Sequence, residues 1–136
     1  MTHPVDPALV ETLLKTLGNA YAPYSHHPVA AVMESPDGQR FAGCNVEVAH
    51  YKGICAEASA IAAMVNAGQR ALKNVYVMGP GEHLCTPCGD CRQRIREFAT
   101  PGTRIIVLSH QGETLKTYTM EALLPDAFGP ENLPPR

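Results

Sequence analysis

The chain has 136 residues, a formal net charge of −2 and a hydrophobic fraction of 45%. This length predicts a single domain, residues 1–136, and the apolar fraction is enough for a hydrophobic core. The slightly acidic balance, with no run of Lys or Arg, argues against a nucleic-acid groove. No apolar stretch approaches the ~20 residues that cross a bilayer, and residues 1–7 show no signal pattern. We therefore expect a cytoplasmic protein with no membrane or nucleic-acid partner.

Turn residues and apolar periodicity divide the chain into nine elements. Asp6 and Pro7 are typical of a helix start, and Gly18 of a helix end. A loop with two prolines, residues 20–28, leads into two strands around the turn-forming residues 35–38. In chain order we predict a helix over 7–17, strands over 29–34 and 40–45, a helix over 55–67, a strand over 74–78, a helix over 89–99, strands over 104–109 and 114–119, and a short helix over 120–124.

The order of these elements predicts an α/β fold. Strands and helices alternate in the middle of the chain, which is typical of a sheet covered by helices. We therefore expect a three-layer α-β-α sandwich around one mixed five-stranded sheet.

The cysteines indicate a metal site. Their number, five, is odd, which disfavours a disulfide framework in a chain without a secretion signal. Cys55-Ala56-Glu57, followed by Pro87-Cys88-Gly89-Asp90-Cys91, predicts one zinc ion per subunit on Cys55, Cys88 and Cys91. Three thiolate ligands leave the fourth position open for water, as in catalytic sites. Both groups fall at predicted helix N-termini, where free N–H groups and the helix dipole favour thiolate.

Glu57 is the candidate proton carrier, because it lies two residues from a predicted ligand. It would take a proton from zinc-bound water and deliver it to a ring nitrogen and the leaving amine. A nonligating Glu together with a Pro-Cys-x-x-Cys segment matches the pattern of zinc deaminases.

Other interpretations of the cysteines remain open. A Cys-x-x-Cys pair alone is also typical of a structural zinc site or a redox pair. Cys85 and Cys88 have the same spacing as Cys88 and Cys91, so Cys85 can replace Cys55 in a structural three-cysteine site. We prefer Cys88 and Cys91, because a helix is predicted to follow and Pro87 separates Cys85 from its start. Cys44 and Cys85 are interpreted as small buried side chains.

These motifs resemble the cytidine deaminases, specifically the small homotetrameric type with three cysteine ligands. The resemblance covers about Ala20 to Leu133. It implies hydrolytic deamination of a free pyrimidine nucleoside in pyrimidine salvage: zinc-bound water attacks C4 of cytidine or deoxycytidine, giving uridine or deoxyuridine. It also implies a homotetramer with shared active sites. The matching blocks are Ala-Tyr-Ala-Pro-Tyr-Ser (20–25), Gly-Cys-Asn-Val-Glu (43–47), Cys-Ala-Glu (55–57), Pro-Cys-Gly-Asp-Cys-Arg (87–92) and Leu-Leu-Pro-Asp-Ala-Phe-Gly-Pro (123–130).

The resemblance also implies substrate-binding residues. Asn45 and Glu47 would hydrogen-bond the ribose, and they alternate along a strand end with groups that suit sugar hydroxyls. A solvated strand terminus is the alternative for this pair. By the same resemblance Ala56 contacts the base through its backbone, Phe128 closes the pocket, Ala49 and Tyr51 reach a neighbouring subunit's site, and His27 stands where a Phe usually packs on the pyrimidine.

Three departures from the family pattern concern the base. His27 replaces the Phe, Ala58 replaces an Arg that usually hydrogen-bonds the thiolates, and segment 48–54 is one residue shorter. The missing cation would come from His26, His27, His50 or Lys52. We hypothesise that the enzyme also accepts N4-substituted cytidines.

Two further functions are carried as alternatives. The first is a zinc aminohydrolase for another amino-heterocycle, such as blasticidin S; Asn45 and Glu47 favour a ribose-bearing substrate over it. The second is a noncatalytic, zinc-stabilised binding or assembly module. A polynucleotide editor is disfavoured by the acidic balance and the short loops.

Overall fold

The structure is a computed structural model that describes residues 5–134. The helices and strands follow the predicted order, with a short 3₁₀ turn after them, Pro130–Asn132. None of the helices in the described part of the chain is long and apolar enough to cross a membrane. The elements are α1 (Pro7–Asn19), β1 (Ala30–Glu34), β2 (Arg40–Cys44), α2 (Ala56–Asn66), β3 (Leu72–Met78), α3 (Gly89–Phe98), β4 (Ala99–Leu108), β5 (Thr114–Thr119) and α4 (Met120–Leu123).

The five strands form one mixed sheet in the order β2-β1-β3-β4-β5. β3 and β4 run parallel, and the other three neighbouring pairs are antiparallel. α3 makes the crossover between β3 and β4, as a parallel pair requires. Its N-terminus therefore lies at the carboxyl end of β3, where α/β sheets commonly bind ligands.

Helices cover both faces of the sheet, which confirms the predicted three layers. Along β1, alternate side chains point to opposite faces. Ala30 and Val32 pack with Leu9 and Leu13 of α1. Ala31 and Met33 belong to the larger core on the other face, to which α2 contributes Ala56, Ala60 and Met64, and α3 contributes Ile95. Every residue of β1 is buried, so this strand contributes to the core on both faces of the sheet.

The N-terminus of α1 is capped by the residue that the sequence predicts. The Asp6 carboxylate caps the helix by accepting a hydrogen bond from the Ala8 amide at 3.0 Å. The same carboxylate pairs with Arg40 on β2 at 2.9 Å, and Arg40 also contacts the nearly buried Glu34 at 2.9 Å. Asn74 on β3 donates to the other oxygen of Glu34 at 2.8 Å. The Asp6 cap is therefore connected through Arg40, Glu34 and Asn74 to β2, β1 and β3.

The predicted start of β4 at residue 104 is wrong, because the strand begins at Ala99. Pro101 and Gly102 are unfavourable in strands, so the sequence did not predict residues 99–103 as part of β4. The register with β3 shifts between Leu72 and Asn74. At this irregularity the buried Thr103 hydroxyl donates to the Leu72 carbonyl at 2.6 Å and accepts from the Thr100 amide at 2.8 Å.

Candidate active site

Three cysteine sulfurs meet where α2 and α3 begin. Cys55 is the N-cap of α2, Cys88 is the N-cap of α3, and Cys91 lies in the first turn of α3. Their Sγ atoms all lie within 4.8 Å of one another. Tetrahedral zinc with sulfur at about 2.3 Å places its thiolates roughly 3.8 Å apart, so this triangle fits the ion. Among the described residues the cluster contains Cys55 and not Cys85, which favours the first of the two ligand sets considered above.

The electrostatics of the cluster also fit a cation. Burial raises the pKa of the Cys55 thiol. Burial, followed by the nearby charge of Glu57, raises the pKa of the Cys91 thiol far above its usual range. Three thiols beside a carboxylate ionise together only when a positive charge compensates them. A divalent metal ion supplies that charge, and the helix N-termini add to it.

Glu57 lies in the first turn of α2, and 4% of its surface is exposed. Burial is the main cause that raises the pKa of its carboxyl group. A carboxyl group in this setting holds a proton more readily than an exposed one. Glu57 is therefore a candidate for proton exchange beside the cysteine cluster.

The Asn45 and Glu47 side chains both hold the loop between α1 and β1. Asn45 accepts from the Val29 amide through Oδ1 and donates to the His27 carbonyl through Nδ2, both at 2.9 Å. Glu47 Oε1 accepts from the Tyr24 and Ser25 amides at 3.0 and 3.1 Å, and its Oε2 accepts from the Ser25 hydroxyl. This last hydrogen bond is the main reason that the pKa of Glu47 is lowered. The sequence indicated a ribose role for the pair but not this structural one.

Glu47 also lines an open cleft of ≈ 360 Å³. Tyr24 and Tyr51 lie on it with their ring centroids 5.9 Å apart, edge to face. Tyr51 is 83% exposed and its backbone has φ 62°, the left-handed region. Tyr24 and Ser25 were not singled out from the sequence, although they belong to the Ala-Tyr-Ala-Pro-Tyr-Ser block. The predicted residue Ala49 is exposed in the adjacent turn.

Comparison with known proteins decides the family. Residues 4–108 match the family model described as the cytidine and deoxycytidylate deaminase zinc-binding region. The chain belongs to the cytidine deaminase family. It is therefore a zinc-binding hydrolytic deaminase, and neither alternative function is favoured.

Similarity to individual members of the family extends over most of the chain. A cytidine deaminase of Sporosarcina psychrophila is 36% identical over 92% of this chain and 92% of its own length. One from Mycobacterium tuberculosis H37Rv is 38% identical over 85% of this chain and 83% of its own length. The cytidine deaminase structure from Burkholderia pseudomallei superposes with a TM-score of 0.82, at 36% identity over 91% of this chain and 99% of that one. The Burkholderia pseudomallei structure therefore shares the fold of this chain.

His27, which departs from the family pattern, contacts Cys85. The Sγ of Cys85 lies 3.7 Å from the Nε2 of His27. Burial, and then the charge of Glu57, raises the pKa of the Cys85 thiol, so Cys85 stands near that carboxylate. Gly79 makes this position possible, since a Cβ there would lie 2.7 Å from the Cβ of Cys85. Cys85 therefore lies close to the site, and its contact with His27 could not be predicted from the sequence.

The prediction that Cys44 and Cys85 are buried is wrong, because both are partly exposed. Cys44 ends β2, the strand at the edge of the sheet, and Cys85 lies in the loop before α3. Neither position is enclosed on all sides by the core.

Ala58, the second departure from the family pattern, lies on the side of α2 that faces α3. It lines a cleft of ≈ 460 Å³ together with Asp90 and Arg94. These two form an ion pair at 3.3 Å on the surface of α3. The room left by a small residue at position 58 therefore opens between the helices, not onto the cleft that holds Glu47 and Tyr51.

The two remaining predicted residues, Ala56 and Phe128, differ in burial. Ala56 is fully buried between Cys55 and Glu57 at the start of α2. The ring of Phe128 is 57% exposed, and the backbone carbonyl of this residue accepts a hydrogen bond from Gln93 of α3 at 2.8 Å. α3 therefore connects the segment that carries Phe128 to the helix start that carries Cys88 and Cys91.

Proposed function

We propose that this enzyme hydrolyses the exocyclic amine of free cytidine and deoxycytidine, releasing ammonia and leaving uridine or deoxyuridine. The observation that carries the proposal is the buried Glu57 beside the sulfur triangle of Cys55, Cys88 and Cys91. Its relatives in Sporosarcina psychrophila and Mycobacterium tuberculosis bear the name cytidine deaminase, which supports the substrate.

The residues divide the chemistry between them. Zinc, when bound, supplies a Lewis acid that makes water a nucleophile at neutral pH. Cys55, Cys88 and Cys91 hold the metal. Glu57 would accept one proton from the attacking water and pass it to the ring nitrogen. It would then take the second proton from the new hydroxyl on C4 and pass it to the amine, which leaves as ammonia while the C4 carbonyl forms. Burial suits Glu57 to this shuttle, because a carboxylate with a raised pKa is a better proton acceptor than an exposed one.

Substrate orientation is assigned to residues outside the metal cluster. Asn45 and Glu47 bind the ribose with the hydrogen-bonding capacity that the loop leaves free. The backbone of Ala56 contacts the base, His27 lies along the base, and Phe128 closes the pocket. Ala49 and Tyr51 reach a neighbouring subunit, which is consistent with the exposure of Tyr51 in the isolated chain. The working form is a cytoplasmic homotetramer of single-domain chains that serves pyrimidine salvage.

Acceptance of N4-substituted cytidines is a finer part of the proposal. It depends on His27, because the room beside Ala58 opens between α2 and α3. Rates on cytidine and on N4-alkyl and N4-acyl analogues test it. Turnover of the analogues that falls in His27→Phe supports the idea, whereas turnover of unsubstituted nucleosides alone contradicts it.

The Glu57→Gln variant tests the main proposal. Gln keeps the size of the side chain but cannot carry the proton, so ammonia release from cytidine should fall by about 10²–10⁴-fold. Zinc content should stay at the wild-type level, because Glu57 is not a ligand. Glu11→Gln, the same change on an exposed part of α1, serves as the control and should retain full activity. Equal rates in wild type and Glu57→Gln would contradict the assignment.

A further inference from the structure

One face of α3 holds the segment that follows α4. We define the Phe128 segment as residues 123–132. Three α3 side chains contact it: Arg92, Gln93 and Arg96. Two of these contacts are hydrogen bonds to backbone carbonyls, so they fix the path of the chain as well as its side chains.

Arg92 joins the metal-site loop to this segment. Its Nε donates to the Pro87 carbonyl at 2.8 Å, one residue before Cys88. Its Nη2 donates to the Thr86 hydroxyl at 3.3 Å, and its Nη1 donates to the Leu123 carbonyl at 2.9 Å. One guanidinium group thus ties the approach to α3 and the end of α4 together, using the fixed fork of donors that Arg provides.

Gln93 and Arg96 hold the residues on both sides of the segment's turn. Gln93 Nε2 donates to the Phe128 carbonyl at 2.8 Å. Arg96 pairs with Glu131, and its guanidinium lies against Gly129, where a Cβ would be 2.7 Å from Nη1 and 2.8 Å from Cζ. The Gly129 amide donates to Asn132 Oδ1 at 2.9 Å, which closes the turn. A Cβ at Gly129 would therefore displace the ends of the Arg96 and Glu131 side chains, which pair with each other.

The Phe128 ring has little packing of its own to hold it. It is 57% exposed in the chain, while the backbone around it is held by α3. The contacts from α3 therefore hold the backbone from which the ring projects, at the Phe128 carbonyl, Gly129 and Glu131. The helix that supplies those contacts also carries Cys88 and Cys91 at its first turn.

We propose that Gln93 and Arg96 are positioning residues that set where Phe128 is presented to the bound nucleoside. The inference rests on the proposed function, in which Phe128 closes the pocket. The helix that holds the backbone of Phe128 is then also the helix whose start carries two metal ligands. Neither residue touches the reacting atoms, so the effect is on binding: loss of one hydrogen bond should raise KM by about 5-fold and leave kcat nearly unchanged.

The test uses a tryptophan at position 128 as a reporter. The chain contains no Trp, so Phe128→Trp gives a single tryptophan whose emission spectrum and quenching by acrylamide report its surroundings. In this background we compare Gln93→Ala, Gln93→Glu and Gly129→Ala. Gln93→Glu keeps the length but removes the donor, and Gly129→Ala displaces the Arg96 guanidinium without changing a charge. Arg94→Ala is the matched control on α3, because Arg94 is paired only with the exposed Asp90 in the part of the chain that the structure describes.

The expected result has three parts. Gln93→Ala, Gln93→Glu and Gly129→Ala change the emission and quenching of the introduced tryptophan, whereas Arg94→Ala does not. The same three substitutions in the enzyme that retains Phe128 raise KM for cytidine about 5-fold with zinc content retained. Unchanged fluorescence and unchanged KM in an active enzyme would overturn the positioning role alone. If no variant and no wild-type protein deaminates a nucleoside, the proposed function fails, and the fluorescence still decides whether α3 positions residue 128.

Discussion

Single side chains in this protein serve the fold and the site at once. Asn45 and Glu47 were predicted from the sequence because their donors and acceptors suit a sugar. The structure adds that their polar groups hold the loop containing Tyr24, Ser25 and His27. A motif could indicate which residue types meet a ligand, but it could not reveal backbone partners that lie about twenty positions away. For the same reason the contact between Cys85 and His27 was not predicted, since only the folded chain brings the two residues together.

Asn45→Ala is predicted to weaken the fold as well as nucleoside binding. It leaves the Val29 amide and the His27 carbonyl without their partner, and we expect a loss of about 1–2 kcal/mol in unfolding free energy. Asn45→Asp should recover little, because its second carboxylate oxygen would face the His27 carbonyl. Thermal and urea unfolding measure the effect, with Asn66→Ala at the exposed end of α2 as the control. Equal stability of the two alanine variants would refute this role.

At the scale of elements, most helices and strands could be predicted because their signals are local. Asp6 with Pro7 marks the start of α1 through a side-chain cap. The turn of residues 35–38 separates β1 from β2 and contains a glycine with φ 88°. The first five residues of β4 could not be predicted, since Pro101 and Gly102 disfavour a strand locally. What holds them is pairing with β3 and the buried Thr103 hydroxyl, and both depend on tertiary contacts.

Thr103→Val tests that explanation of β4. The substitution preserves shape but removes a buried hydroxyl that donates to the Leu72 carbonyl and accepts from the Thr100 amide. Leaving these two groups unpaired should lower the free energy of unfolding by about 1–3 kcal/mol. Thr117→Val, on the exposed face of β5, should change it by less than about 0.5 kcal/mol. A melting temperature that is the same in both variants would show that the hydroxyl does not support the strand.

At the scale of the whole molecule, the mixed sheet with helices on both faces was predictable from the order of elements. The assembly is not visible in one chain, although three exposed aromatic side chains lie on the cleft or in the Phe128 segment: Tyr24, Tyr51 and Phe128. Burial of such side chains against neighbouring copies is a common way to complete a site.

We predict that the protein in solution has four times the chain mass of 14.6 kDa. Light scattering coupled to size exclusion measures this mass. Tyr51→Ala should raise KM for cytidine, because we propose that Tyr51 reaches the site of the neighbouring subunit. Ser59→Ala on α2, away from the cleft, provides a control. A fully active monomer would contradict shared active sites.

Zinc dependence tests the central claim most directly, namely that Cys55, Cys88 and Cys91 hold the ion with which Glu57 works. The protein is stripped with a chelator under reducing conditions, and zinc is returned in steps while bound metal and ammonia release from cytidine are both measured. We predict that activity rises in proportion to bound zinc and saturates at one ion per chain, and that Cys91→Ser binds and deaminates far less. Full activity in the metal-free protein, or one tightly bound zinc with no deamination of cytidine or deoxycytidine, would contradict the claim.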